Sequence, residues 1–213
     1  MGETLVLHGY WRSTASWRVR IALGLKGLEW QGRAHDLRTG EQRSDDYLAL
    51  NPQGFVPALE AGGEVLTQSL AIIEYFDEIQ PAPPLLPADP LERARVRALA
   101  QVIACDTHPV QNLKVLKMLK KRGIDQATVD AWAAEVIEQG LAAFSKLVSR
   151  YSGPYCCGDT VTLADVLLVP QLGNARRFGA RFDFGRIPEI EAACAELPAF
   201  RAARPENQPD ADV

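Results

Sequence analysis

The densest group of chemically useful side chains lies in residues 10–18, which read Tyr-Trp-Arg-Ser-Thr-Ala-Ser-Trp-Arg. Ser13 and Ser16 have the spacing of a Cys-x-x-Cys redox motif, but neither carries sulfur, so disulfide exchange from this segment is excluded. What remains is the Ser13 hydroxyl, with Thr14 beside it, directly before an apolar periodic segment. Such a hydroxyl can bind an anion, because backbone N–H groups and the helix dipole favour negative charge at a helix N-terminus.

The anion that this segment could hold is a thiolate brought by a ligand. A thiol with an ordinary pKa of ~8.5 is only a few per cent ionised at pH 7. Lowering that pKa by ~2 requires about 2.7 kcal/mol, which a hydroxyl donor and a helix dipole could supply together. Spacing alone leaves open the alternative that Ser13 and Thr14 only cap the helix.

Three further segments could bind a small anionic ligand. Gln68-Ser69 opens a second helix, whose N–H groups could hold a carboxylate, although Ser69 could equally be a simple cap. Arg176-Arg177 lies late on a helix that begins at Thr162, and paired guanidinium groups suit a dicarboxylate or keto acid. A solvated pair at a helix end is the alternative. His108, before Pro109, could donate to a ligand or simply mark a kink.

The elements that must position these residues are arranged as β-α-β followed by β-β-α. Strands are predicted at residues 4–10, 30–37, 56–59 and 64–67, and helices begin at Ser13 or Thr14 and, capped by Ser69, at Leu70. Val56-Pro57 is a candidate cis bond that sequence alone does not establish. This order of elements predicts a thioredoxin-like α/β domain with a right-handed first crossover.

A proline-rich segment separates this domain from an all-helical region. Residues 80–90 hold five prolines, a density that neither a helix nor a central strand tolerates. We therefore predict a domain at 1–82, a linker at 83–90 and a helical domain at 91–213. Helices are expected over 90–121, 128–148, from Thr162 and from Pro188, and the polar tail after Pro205 is expected to be loose.

Composition excludes several classes of partner. The 213 residues carry a formal net charge of −4, which argues against nucleic acid and anionic membrane as partners. No apolar segment approaches a membrane span, and no secretory signal precedes Leu5-Val6-Leu7. Four cysteines without metal-ligand spacing are interpreted as reduced thiols of a cytoplasmic protein that binds no metal.

Taken together, the motifs resemble the zeta class of the glutathione transferase family, which includes maleylacetoacetate isomerase and glutathione-dependent maleylpyruvate isomerase. The resemblance runs nearly end to end and rests on these segments: Trp11–Ser13, Trp17–Leu23, Ala49–Pro52, Val56-Pro57, Gln68–Tyr75, Leu85–Pro87, Val110–Leu113, Gly158-Asp159, Leu163–Asp165 and Val169–Gln171.

The resemblance implies a role for each candidate residue. Ser13 supports the thiolate of glutathione, with Thr14 and Arg12 as further catalytic candidates. The remaining glutathione contacts are Gln42, Val56 with cis-Pro57, Gln68, Ser69, His108, Gln111 and Asn112. The substrate carboxylates are expected at Arg177, Arg176 and Arg12. A homodimer is also implied.

The implied activity is the glutathione-dependent cis–trans isomerisation of a maleyl keto acid to its fumaryl isomer, with glutathione not consumed. The zeta signature usually reads Ser-Ser-Cys where this chain has Ser13-Thr14-Ala15. The missing cysteine keeps maleylpyruvate open beside maleylacetoacetate as the substrate. Two rival functions also stay open: a general glutathione transferase or dehalogenase, and a glutathione-binding protein without turnover.

Overall fold

A computed structural model describes residues 4–212, so residues 1–3 of the predicted first domain and the terminal Val213 lie outside the described part. The chain divides into two compact units. The first contains the residues up to Pro84 together with those from Leu197 onward, and the second contains Leu85–Glu196.

The first unit is built on a four-stranded mixed sheet. Its elements in chain order are β1 (Leu5–Gly9), α1 (Thr14–Lys26), β2 (Trp30–Ala34), α2 (Asp45–Leu50), β3 (Ala58–Ala61), β4 (Glu64–Thr67) and α3 (Ser69–Ile79). The strand order is β2-β1-β3-β4, with β2 parallel to β1 and the other two pairings antiparallel. The predicted β-α-β and β-β-α order is therefore confirmed.

Helix α1 forms where the sequence provides both a start and a stop. The Ser13 side chain accepts the N–H of Ser16, and Gly27 ends the helix in a left-handed conformation with φ 62°. Between them, Val19, Ile21 and Leu23 are fully buried. Also fully or almost fully buried are Ile72, Ile73 and Phe76 of α3 and Leu7 and Leu59 of the sheet, so the core of the unit includes side chains from both helices and the sheet.

The second unit is helical. Its elements are α4 (Pro90–Gln101), a π-helical segment (Val102–Thr107), α5 (Leu113–Lys121), α6 (Gln126–Val148), α7 (Leu163–Phe178) and α8 (Ile187–Ala195). The helix predicted from Thr162 is α7, and Thr162 and Asp165 form a capping box at its start. α7 is buried on nearly every side over its first three turns, as expected of the central helix of a bundle.

The long helix predicted over 90–121 is interrupted. After α4, the N–H of His108 reaches back five residues to the carbonyl of Ile103, at 2.9 Å. Pro109 then provides no N–H for a helical bond, and a new helix begins after Asn112. This interruption brings His108, Gln111 and Asn112 into a non-helical segment, and π-helical turns often occur at functional sites.

The C-terminal segment differs from the predicted boundary and from the predicted loose tail. Residues 197–212 belong with the first unit, not with the helical one. α9 (Pro198–Ala202) packs on α1, where an added Cβ at Gly24 would lie 3.0 Å from that of Ala199. Beyond it, Asp210 accepts the N–H of Trp11 at 2.9 Å. These contacts join residues far apart in the chain, and no local pattern reveals them.

Candidate functional site

Three of the candidate segments lie at one edge of the sheet. His8 of β1 pairs with Ala58 of β3, and Ala58 pairs with Thr67 of β4, so the end of β1, the start of β3 and the end of β4 form one row. Neighbouring strands lie ~4.8 Å apart, so this row spans roughly 10 Å. A fully extended tripeptide has about the same length.

The turn between β1 and α1 presents the Ser13 hydroxyl. Ser13 is half-buried, and its N–H donates to the carbonyl of Tyr10 at 3.0 Å. Its Oγ accepts the N–H of Ser16 at 3.2 Å, which leaves the hydroxyl hydrogen to be donated elsewhere. Capping and anion binding are therefore compatible roles for this residue. The first turn of α1 holds no acidic residue, so no carboxylate within that turn offsets the positive end of the helix dipole.

Gly9 allows α1 to start close to the end of β1. A Cβ at Gly9 would lie 3.3 Å from Oγ of Ser16, a contact tighter than most. Oγ of Ser16 in turn accepts the N–H of Tyr10 at 3.4 Å. The turn that carries Ser13 is thus held against the sheet from inside the unit.

The loop before β3 carries the Val56–Pro57 bond, which is cis as the sequence suggested. Val56 lies two residues before Ala58, the first residue of β3, and so outside the ladder with β1. The loop is fixed through the carbonyl of Phe55, which accepts from the Tyr47 hydroxyl at 2.6 Å and from the Asn51 amide at 2.8 Å. The backbone of Val56 is consequently presented from a well-held segment at the sheet edge.

Helix α3 begins at Ser69, and the predicted Ser69 cap is wrong. The cap position is Gln68, which makes no capping side-chain bond and has a positive φ of 70°. Positive φ is costly for a residue with a side chain and often occurs at functional sites. The amide of Gln68 donates to Gln53 at 2.8 Å, while the buried Ser69 hydroxyl accepts from Arg18 at 3.4 Å. As in α1, the first turn of α3 holds no acidic residue.

Gln42 lies in a short 3₁₀ turn (Glu41–Arg43) that packs on the same loop. Its carbonyl oxygen would be 3.0 Å from a Cβ added at Gly54, so the two segments are in close contact. The side chain is buried, and its Oε1 has no hydrogen-bond partner. An orphaned buried amide oxygen is costly unless a ligand or water satisfies it.

Arg12 lies in the same turn as Ser13. Its guanidinium stacks over the Trp11 ring at 5.3 Å, and its Nε is buried without a hydrogen-bond partner. Arg18 and Arg20, which sequence reasoning passed over, are buried on α1. Two arginines within an otherwise apolar helix face are the signal that could have identified them, since buried charges are retained only with partners.

In the second unit, His108, Gln111 and Asn112 gather at the interruption before α5. Asn112 caps α5 by accepting the N–H of Lys114 at 3.0 Å, and its amide lies 3.5 Å from Nε2 of His108. Gln111 is buried, and its Nε2 has no hydrogen-bond partner. Gly140 of α6 permits the close packing here, because a Cβ there would collide with Thr107.

The two predicted substrate arginines of α7 differ in their surroundings. Arg176 makes a two-pronged ion pair with Glu191 of α8, with N–O distances of 2.7 and 2.6 Å, and these bonds raise its pKa. Arg177 is exposed, and its guanidinium lies 5.1 Å from the centre of the Phe178 ring. A helix-to-helix ion pair therefore explains Arg176 without a ligand, whereas Arg177 stays a prediction for substrate binding.

The three cysteines that are at least partly buried, Cys156, Cys157 and Cys194, are not activated nucleophiles. Burial raises the pKa of Cys157 to about 12, and it also raises the pKa of Cys156 and of Cys194. A thiol is nucleophilic only as its thiolate, so these three are inert near neutral pH. All four thiols are free of disulfide bonds, and Cys105 is exposed.

Residues 4–212 show neither a metal site nor a helical membrane span. Within them, no group of histidine, cysteine and carboxylate side chains is arranged to hold a metal ion. Within the same range, no helix is long and apolar enough to cross a membrane.

Comparison with known proteins first identifies the class of protein to which the chain is similar. Residues 12–79 match the glutathione S-transferase N-terminal domain family, in agreement with a thioredoxin-like sheet unit joined to a helical one. Maleylacetoacetate isomerase of Pseudomonas aeruginosa is 50% identical over 208 residues, 96% of this chain and 97% of that protein.

Solved structures agree with this class over the whole chain. A holo maleylpyruvate isomerase, described as a bacterial zeta-class glutathione S-transferase, is 46% identical with a TM-score of 0.94, over 97% of this chain and 100% of that one. Maleylacetoacetate isomerase of Anaeromyxobacter dehalogenans, with dicarboxyethyl glutathione and citrate in its active site, is 44% identical with a TM-score of 0.88, over 99% and 98%. The chain belongs to the zeta class of the glutathione S-transferase family. The predicted family and fold class are confirmed.

Proposed function

We propose that this chain is a glutathione-dependent cis–trans isomerase that converts maleylacetoacetate to fumarylacetoacetate in aromatic compound catabolism. The observation that carries the proposal is the Ser13 hydroxyl at the start of α1, at the sheet edge that also carries Val56 and Gln68. The full-length similarity to enzymes named maleylacetoacetate isomerase supports the same activity.

The residues at the sheet edge fit glutathione. The row from the Ser13 turn to Gln68 spans roughly 10 Å, which is within the length of an extended tripeptide. Gln42 has an orphaned buried acceptor that an N–H of the ligand would satisfy. The start of α3, without an acidic residue in its first turn, suits the γ-glutamyl carboxylate, which Gln68 and Ser69 would hold. The backbone of Val56, next to Pro57, would pair with the cysteinyl part.

When bound, glutathione supplies the thiolate that adds to the cis double bond and later leaves, so that rotation about a single bond can occur between the two events. Ser13 donates its hydroxyl hydrogen to the sulfur and keeps it ionised. Thr14, the first residue of α1, is buried beside it, so its side chain supports the turn from inside. The start of α1 contributes its dipole to the same anion.

The second unit contains three further predicted glutathione contacts and one predicted substrate contact. Gln111, whose Nε2 lacks a hydrogen-bond partner, could donate to a ligand oxygen, with His108 and Asn112 beside it. Arg177 and Arg12 would bind the carboxylates of the substrate through their guanidinium forks and stabilise the charge that develops on the keto-acid side. A relative, the Anaeromyxobacter enzyme, has dicarboxyethyl glutathione and citrate bound in its active site, which supports a substrate with more than one carboxylate.

Maleylpyruvate is the second candidate substrate. Ala15 stands where the zeta signature usually has cysteine. A maleylpyruvate isomerase that is 46% identical aligns over 97% of this chain. The attacking sulfur belongs to glutathione in either case, so Ala15 bears on the choice of substrate and leaves the reaction type unchanged.

The test is to incubate the purified protein with maleylacetoacetate and with maleylpyruvate, each with and without glutathione, and to compare kcat/KM. We expect turnover only with glutathione, a higher kcat/KM for maleylacetoacetate, and no fall in total glutathione. Depletion of glutathione in proportion to product would instead indicate a conjugating or dehalogenating transferase. Binding of glutathione without turnover of either substrate would indicate a non-catalytic binding protein.

We also propose that the protein is a cytoplasmic homodimer. Four thiols free of disulfide bonds suit a reducing compartment. The mass in solution, measured by light scattering after size exclusion, should be about twice the 23.4 kDa of the chain. A single species at the mass of one chain would contradict the dimer.

A further inference from the structure

The turn that presents Ser13 is held by two charged side chains that have no part in the proposed chemistry. Trp11 lies two residues before Ser13, and its N–H donates to the carboxylate of Asp210 at 2.9 Å. Its carbonyl accepts from Nη2 of Arg20, also at 2.9 Å. Both backbone polar groups of Trp11 are thus bound by ionised side chains, and such bonds are stronger than neutral ones.

Arg20 joins the turn to the C-terminal segment. Its Nη1 lies 3.5 Å from the Tyr10 carbonyl, and its Nε donates to the carbonyl of Ala203 at 3.2 Å. The guanidinium is almost fully buried, and burial lowers the pKa of Arg20 to about 10, while Asp210 raises it. Arg20 remains charged at neutral pH, and Asp210 supplies the opposite charge that a buried cation requires.

A displacement of Trp11 would reach Ser13 directly. The Ser13 N–H donates to the Tyr10 carbonyl, so residues 10–13 form one hydrogen-bonded turn. Three side chains beyond residues 10–13 bind the backbone of that turn: Arg20 on α1, Asp210 near the chain end and Ser16 through its Oγ. Removal of the Asp210 carboxylate would free the Trp11 N–H and remove the nearby negative charge that raises the pKa of Arg20.

We propose that Asp210 and Arg20 are positioning residues, through which the C-terminal segment sets the geometry of the turn that aims the Ser13 hydroxyl. The proposal rests on the proposed function, since it takes the thiol of glutathione as the group that Ser13 addresses. Neither side chain needs to touch glutathione or substrate, because both act on the backbone of Trp11. The chain end is accordingly part of the catalytic apparatus, although it lies 199 positions from Trp11 in sequence.

The test compares Asp210→Ala, Asp210→Asn and the control Glu206→Ala in the full-length protein. Glu206 is an exposed carboxylate of the same segment, paired at 3.7 Å with Arg204. The pKa of the bound glutathione thiol is followed by its thiolate absorbance, and kcat and the KM for glutathione are measured well below the melting temperature. For Asp210→Ala we expect a fall of about tenfold in kcat, since small misplacements of reacting groups are costly.

The remaining expectations separate positioning from a merely structural role. In Asp210→Ala the pKa of the bound thiol should rise, while the KM for glutathione changes less than kcat. Asp210→Asn keeps an oxygen that can accept the Trp11 N–H, so it should recover most of kcat. Glu206→Ala should match wild type. If folded Asp210→Ala and Asp210→Asn both keep the wild-type kcat and thiol pKa, the proposal is wrong, even if their melting temperatures fall.

A different result would count against the proposed function itself. If the wild-type protein binds glutathione without lowering the pKa of its thiol, Ser13 does not support a thiolate, and the positioning role falls with it. If wild type lowers that pKa and Asp210→Ala lowers it equally, only the positioning role is refuted.

Discussion

Replacement of Ser13 by alanine tests the electrostatic basis of the proposed mechanism. The hydroxyl has two functions in the structure: its oxygen caps α1 by accepting the Ser16 N–H at 3.2 Å, and its hydrogen is available to a sulfur anion. Ser13→Ala removes both. Loss of the cap costs about 1 kcal/mol of stability, which lowers the melting temperature and leaves the chemistry of the folded protein untouched.

The loss of the donated hydrogen bond has a separate and predictable magnitude. A hydrogen bond to a charged group contributes about 1.5–3 kcal/mol, which corresponds to a rise of roughly 1–2 in the pKa of the bound thiol. If the wild-type protein lowers that pKa by ~2 from ~8.5, half of the bound thiol is ionised at pH 6.5. In Ser13→Ala the ionised share then falls by a factor of about 5 to 50 at that pH.

The pH dependence distinguishes this effect from damage to the fold. The rate of Ser13→Ala should fall about 5- to 50-fold at pH 6.5 and should approach that of wild type near pH 9, where most of the thiol is ionised in both proteins. The control is Asp125→Ala, which removes an equivalent cap of α6, where Asp125 accepts the Thr128 N–H at 2.9 Å. Equal pH profiles for Ser13→Ala and wild type would refute the role of Ser13.

Three further outcomes are expected. Gln68→Gly should raise the KM for glutathione without lowering the melting temperature, because glycine adopts the positive φ of 70° more readily; an unchanged KM would remove Gln68 from the binding site. Arg177→Ala should raise the KM of the maleyl substrate about tenfold or more, as expected when a charged hydrogen bond is lost. Arg176→Ala should mainly lower stability, because it removes the ion pair with Glu191. The reverse pattern would assign the substrate to Arg176. Desolvation by burial, and secondly the charge of the nearby His8, lowers the pKa of His35. Just below pH ~6.5 the unfolded protein therefore binds more protons than the folded protein, so the free energy of unfolding falls as the pH decreases. His35→Gln should reduce that fall, as measured by urea unfolding at pH 5 and pH 7.5.

Local chemistry accounts for the parts of the structure that the sequence predicted. The Ser13 cap of α1 and the start of α7 at Thr162 and Asp165 each depend on side chains within four residues of the backbone groups they serve. The neighbouring strands predicted at 56–59 and 64–67 correspond to the antiparallel pair β3 and β4, which a two-residue turn at Gly62-Gly63 connects.

The features that the sequence did not reveal depend on distant contacts or unusual backbone. The six-residue α2 is too short for a clear period, and the π-helical segment at 102–107 continues the apolar pattern of α4 while shifting its bonds to five residues. The prediction that Ser69 caps α3 was wrong because Gln68 takes the cap position, with a positive φ that its residue type does not indicate. The bond between the chain end and Trp11 is made by Asp210, a carboxylate in a polar tail that shows no local pattern.

The sheet edge explains why one ligand can engage two helix starts. α1 and α3 both begin without an acidic residue in the first turn, and both follow strands that end in the row through His8, Ala58 and Thr67. Two positive helix ends about two strand spacings apart, roughly 10 Å, complement a ligand that carries two separated negative groups. In the proposed binding mode, glutathione meets this requirement once the thiol of its central cysteinyl residue is ionised, with the sulfur at α1 and the γ-glutamyl carboxylate at α3. The same arrangement that binds the tripeptide therefore favours its reactive anion.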